Sequence, residues 1–118
     1  MKQKSANDHF GNSNGTSRYY RHPLSSIVYT DGVRDLAETC EAYWIIDLIV
    51  SHQTRLLVAQ HPFQVWELRQ VKGFRYEAAC TDGNGKHITR QRIPYTDFPY
   101  QEARLWLSDG VLLLPCEY

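Results

Sequence analysis

The chain has no apolar run of membrane length. Its longest unbroken hydrophobic stretches fall far below the ~20 residues a spanning helix needs. It also lacks charge of one sign: thirteen basic side chains meet thirteen acidic ones at a pI near 7.0, which removes the electrostatic footprint of a dedicated nucleic-acid binder. Cysteine is scarce. Cys40, Cys80 and Cys116 are odd in number and far apart, with no Cys-x-x-Cys, so neither a disulfide framework nor a four-cysteine metal site can be built from one chain. The five histidines, His9, His22, His52, His61 and His87, show no His-x-x-x-His spacing. There is no phosphate-cradling glycine loop, no Gly-x-Ser-x-Gly and no His-Glu-x-x-His, which argues against the common enzyme classes. No metal or cofactor is expected. Met1 to Asp8 lacks an apolar core, so the reading expects no secretory signal and a reducing cytoplasm.

What is present is an ordinary globular composition, 42% hydrophobic and 13% aromatic over 118 residues, enough for a single core. The charge is unevenly laid out. Between Thr30 and Gln53 only Arg34 opposes Asp31, Asp35, Glu38, Glu41 and Asp47, whereas Arg55 to Arg104 is mildly basic. Solvated faces explain this better than a partner-binding patch does. Residues 1–18 are rich in Asn, Ser, Gly and Lys, with Phe10 the only large apolar side chain. They read as a disordered tail, removable without loss of fold, ahead of a single domain over residues 19–118.

Thr30 or Asp31 makes a helix N-cap, and Val33, Leu36, Ala37, Cys40, Trp44 and Leu48 recur at three- and four-residue spacing. The pattern predicts one long helix running to about His52. Thr54 to Gln60 is ambiguous between a short helix and a strand, with helix preferred. From Phe63 the texture becomes strand-like: Phe63 to Val71, Arg75 to Thr81 and His87 to Ile93, with a turn near Lys72-Gly73 and a loop at Asp82-Gly83-Asn84-Gly85. Pro94 to Pro99 reads as a connector. The closing hairpin, Glu102 to Cys116, turns at Asp109-Gly110, a type I′ signal. That turn pairs Trp106 with Leu113 and sets Leu105, Leu107, Leu112 and Leu114 on the other face. The expected fold is therefore α+β in two layers, one long N-terminal helix packed on a five-stranded, mainly antiparallel meander.

Asp82-Gly83-Asn84 starts like a calcium loop, but Lys86 and His87 stand where an oxygen ligand and a glycine are needed, so a hairpin loop is preferred. Asp47, near His52 and Cys40 on the apolar helix, invites a nucleophile–base reading, with Tyr43 as a third candidate. A structurally satisfied Asp47 and a Cys40 packed as a small hydrophobe are the nearer explanations. Arg90 and Arg92 share one strand face and could meet single-stranded bases, but no RNP-like motif accompanies them, and a solvated face is favoured.

Tyr29 to Thr39, Ala42 to Asp47, Phe63 to Leu68, Tyr95 to Pro99 and the segment from Leu105 to Pro115 together resemble a family of small bacterial proteins, well represented in cyanobacteria, that is known only as a domain of unknown function. The resemblance covers about residues 24–118 and implies a cytoplasmic bacterial setting, but no activity, cofactor or catalytic residue. The leading functional expectation is a small non-catalytic module that binds an unidentified protein partner. The alternatives are a ligand-binding or hydrolytic domain with a pocket between helix and sheet (Asp47, His52, Tyr43), and single-stranded nucleic-acid binding through Arg90 and Arg92. No membrane contact is expected. A homodimer could form if the Trp106–Leu113 face of the hairpin stays open.

Overall fold

A computed structural model of the chain describes residues 2–10 and 18–118. Eight strands and three α-helices follow one another there: β1 (Gln3–Ser5), β2 (Tyr19–Arg21), β3 (Val28–Thr30), α1 (Asp31–Thr39), α2 (Tyr43–His52), α3 (Leu56–Ala59), β4 (Phe63–Lys72), β5 (Arg75–Thr81), β6 (His87–Ile93), β7 (Tyr100–Ser108) and β8 (Val111–Leu113). All eight strands belong to one sheet. This overturns the expectation of one long helix on a five-stranded meander. The molecule is mostly sheet, with three short helices.

The helix breaks because Glu41 adopts a left-handed backbone, φ 51°. α1 closes with a Schellman motif: the Ala42 N–H bonds the Ala37 carbonyl at 2.7 Å and the Glu41 N–H bonds the Glu38 carbonyl at 3.4 Å. Ala37 and Ala42 are both fully buried, which supplies the apolar contact that accompanies the motif. A glycine normally marks such a stop. Here a glutamate takes the position, at a strain of about 1–2 kcal/mol, so the apolar periodicity runs through the break without a signal.

The sheet order is β2-β3-β8-β7-β4-β5-β6, with β1 also on β7. A meander would have put β7 beside β6. Instead β7 lies antiparallel to β4, from Phe63 against Ser108 to Arg69 against Glu102. The connector between β6 and β7 wraps round the β4–β5 turn to get there. The Thr96 N–H bonds the Phe74 carbonyl at 2.9 Å, and the buried Tyr76 hydroxyl donates to the carbonyls of Phe98 and Tyr100 at 3.1 and 2.6 Å. The closing hairpin has the register read from its turn, with Trp106 opposite Leu113 and Leu107 opposite Leu112. Asp109 and Gly110 both carry positive φ, as a type I′ turn requires.

One face of the sheet lies under the helices. Gln64, Trp66 and Leu68 of β4, Tyr76, Ala78 and Cys80 of β5, and Leu105 and Leu107 of β7 are buried there with Leu36, Ile45, Ile46 and Ile49 of the helices. Each large apolar side chain so buried contributes roughly 1.5–3 kcal/mol.

The two ends of the described chain are tied down by polar contacts. Thr30 caps α1, its hydroxyl accepting from the Val33 N–H at 3.3 Å and donating to Glu117 Oε1 at 2.6 Å. The same carboxylate accepts from the N–H groups of Gly32 and Leu114, at 3.2 and 2.9 Å. Gly32 is required by this approach, since a Cβ there would lie 2.8 Å from the carboxyl group.

The disordered tail expected over residues 1–18 needs correction in its first part. β1 pairs parallel to β7, Gln3 with Tyr100 and Ser5 with Glu102, and Ala6 is fully buried. β8 occupies the same edge of β7 further along, from Trp106 to Ser108. The Asn7 carboxamide fills the gap between them, donating to the Arg104 carbonyl at 3.0 Å and accepting its N–H at 2.7 Å, as a strand residue would. The rest of the expected tail, residues 11–17, lies outside the described residues.

Substitutions at two positions test this account. Glu41→Gly should hold or raise stability, by up to about 1 kcal/mol, while β-branched Glu41→Val should lower it. Asn7→Ala should lower it by about 1–2 kcal/mol through the two lost hydrogen bonds. Urea unfolding followed by circular dichroism reads both.

Candidate functional site

A cleft of about 440 Å³ lies at one end of the sheet. The loop between β2 and β3, the end of α2, the link from α3 to β4 and the Asp109-Gly110 turn converge on it. Two backbone bonds hold these walls, Asp109 N–H to the Pro62 carbonyl at 2.9 Å and Val28 N–H to the Gly110 carbonyl at 3.1 Å. Ile27, Val50 and Leu107 give the lining an apolar part, and Gln64 a polar one.

Gln64 ties the walls of the cleft together. It sits on the core face of β4, almost fully buried, where an alternating strand would carry an apolar residue. Its amide and that of Gln53 bond each other reciprocally at 2.8 and 2.9 Å. Its Nε2 also lies 3.0 Å from the carbonyls of both Val58 and His61, while its Oε1 accepts the Trp66 indole N–H at 3.0 Å. Buried polar groups have to be satisfied, and this one side chain satisfies donors and acceptors from α2, α3 and β4 together. At the cleft, the side chains of Ser26, His61 and Asp109 form no hydrogen bond among the described residues, which leaves their capacity open to a ligand.

The residues weighed as candidates for a catalytic group point in different directions. Asp47 and His52 are five positions apart on α2, about 140° around a helix. The exposed Asp47 accepts from His22 Nε2 at 2.8 Å, and His22 Nδ1 in turn accepts the Leu24 N–H. His52 lies buried on the other side, tilted against Trp66 with ring centroids 5.3 Å apart, its Nε2 2.7 Å from Gln91 Oε1. Its Nδ1 has no partner among the described residues. Tyr43 donates to Glu38 at 2.5 Å, and this bond raises the phenol above its usual range. Burial pushes the Cys40 thiol up to about 11 and the Cys80 thiol up to about 12, the reverse of what a thiolate nucleophile needs. Among the described residues no three His, Cys, Asp or Glu side chains gather as metal ligands, and no helix is long and apolar enough to cross a membrane.

Trp106 and Leu113 share a face, as their register requires. Leu113 is buried, and Tyr118 packs on Trp106 at 5.3 Å and on Phe63 at 6.0 Å. Tyr118, itself largely exposed, thus adds an aromatic ring to this face beside Trp106.

Nothing in the residues of β6 marks it as the end of the sheet. Among the described residues nothing pairs with its outer edge, and the opposite margin, β2, is only three residues long. Arg90 and Arg92 point away from the helices, opposite Ala79 and Glu77 of β5. Both are exposed, and neither guanidinium forms an ion pair or hydrogen bond among the described residues. Further in, Glu67 is already engaged by Arg104 at 2.9 Å and Arg69 at 3.2 Å. Partial burial opposes its ionisation, but the two arginines outweigh that and hold its carboxyl below the usual range. α3 packs beside β6 with Leu56 and Leu57 80% and 68% exposed.

The thiol environments make a direct prediction. Ellman's reagent at pH 8 should modify the exposed Cys116 in the native protein, and Cys40 and Cys80 only after unfolding. Rapid native labelling of either buried thiol would refute the arrangement.

No curated protein and no solved structure has significant similarity to this chain. Residues 4–118, nearly the whole chain, match the family of unknown function DUF6876, and the chain belongs to that family.

Proposed function

We propose that the protein is a non-catalytic interaction module of the bacterial cytoplasm that takes up an extended segment of a partner protein along β6. One observation carries the reading: β6 is a seven-residue strand whose outer edge is unpaired among the described residues. An open edge offers a row of backbone donors and acceptors that an added strand completes, with adjoining side chains setting the choice of strand. Leu56 and Leu57 on the neighbouring α3 supply apolar contact. The dispersal of Asp47, His52 and Tyr43 favours binding over catalysis.

A second reading rests on the 440 Å³ cleft, where Ser26, His61 and Asp109 surround an apolar floor in the way small-ligand sites do.

Displaying random extended peptides and mapping the selected binders by amide chemical shifts separates the two. Binding at the edge should perturb Thr89 to Ile93. N-methylation at alternate positions of the peptide should abolish it in one phase only, because only one side of the added strand faces β6. Shifts confined to Ser25, Gln53, His61 and Asp109 would overturn the edge reading in favour of the cleft.

A further inference from the structure

We propose that the segment received by β6 is acidic, with carboxylates at alternate positions that meet Arg90 and Arg92. The inference rests on β6 being the docking edge and adds the chemistry of its occupant. Arg90 and Arg92 lie two residues apart, so they share one face and repeat at the spacing of a strand. An added strand presents every second side chain to that same face, within reach of both guanidiniums. Lys86 in the preceding loop is also exposed, but the Asp82 carboxylate beside it offsets its charge, so the positive margin rests on Arg90 and Arg92. The available anions do not cancel it. Ala79 stands across from Arg90, Glu77 alone lies across from Arg92, and Glu67 beyond them is held by Arg69 and Arg104.

The same charges argue against a second copy as the occupant. An antiparallel self-pairing centred on Gln91 would set Arg90 opposite Arg92 twice. Centring it one residue either way would set an arginine opposite itself. Like charges directly opposite destabilise a strand pair. A single-stranded nucleic acid would find the charge but not the stacking surface. The neighbours of the two arginines on their face are Ala79 and Glu77, while the exposed Phe74–Tyr95 pair lies at the β4–β5 turn and the Phe63–Trp106–Tyr118 group packs around β4 and β7.

The test uses capped peptides the length of β6 that alternate valine with glutamate, threonine or lysine, titrated against the full chain by fluorescence anisotropy, with a labelled oligothymidine alongside. The glutamate peptide should bind roughly tenfold more tightly than the threonine peptide, and the preference should fade in high salt. The double substitution Arg90→Glu with Arg92→Glu should reverse it, so that the lysine peptide becomes the tighter ligand. Circular dichroism of that variant should be unchanged, because both side chains are exposed. Equal binding of all three peptides would overturn the acidic preference and leave β6 as the docking edge. Failure of every peptide would overturn the docking reading itself. Binding of the oligothymidine without the glutamate peptide would overturn the proposal in favour of nucleic acid.

Discussion

Glu117 is where the two halves of the molecule are joined. Its carboxylate receives the Thr30 hydroxyl and the N–H groups of Gly32 and Leu114, and so holds the C-terminal segment on the first turn of α1. A carboxylate suits that place, because unsatisfied N–H groups and the helix dipole both favour negative charge there. The clasp stands over the parallel pairing of β3 with β8, Val28 against Val111 and Tyr29 against Leu112. With β8 fixed beside β3, β7 becomes an inner strand, and β4, β5 and β6 follow outward from it to the far margin. The absent side chain of Gly32 makes the approach possible.

Gln64 does for the helix layer what Glu117 does for the ends. It stands in the core and binds the Gln53 amide, the carbonyls of Val58 in α3 and of His61 just beyond it, and the Trp66 indole. A leucine there would bury similar volume and leave those groups unpaired, so the polar choice sets the position of α3 more than it adds stability. The cleft and the outer strand both depend on where α3 sits.

Local chemistry was legible in the sequence and distant pairing was not. Asp109-Gly110 specifies its turn by backbone preference alone, so the hairpin register could be read from the residues. The bound on the first helix could not, because Glu41 carries no mark of a left-handed residue. Three-residue strands such as β1, β2 and β3 are too short to show alternation. The pairing of β7 with β4 is settled by Tyr76 reaching the carbonyls of Phe98 and Tyr100, some twenty positions on. At the candidate site, alternation placed Arg90 and Arg92 on one face. That their strand closes the sheet follows only from the order of the others. Asp47 and His52 looked close because they are near in sequence, yet the pitch of α2 turns them apart.

The tie between Asn7 and Arg104 spans 97 positions and that between Thr30 and Glu117 spans 87. Three of the short strands, β1, β2 and β3, depend directly or through one another on partners supplied by β7 and β8. On a ribosome, β1 and the β2–β3 pair therefore emerge well before the strands that join them to the rest of the sheet. Closing loops of that size is entropically expensive and makes such sheets slow to form. The helices can coil first, but they have no finished surface to rest on. The architecture implies that the sheet cannot close until β7 and β8 are available, with the edge of β7 as the last seam to close.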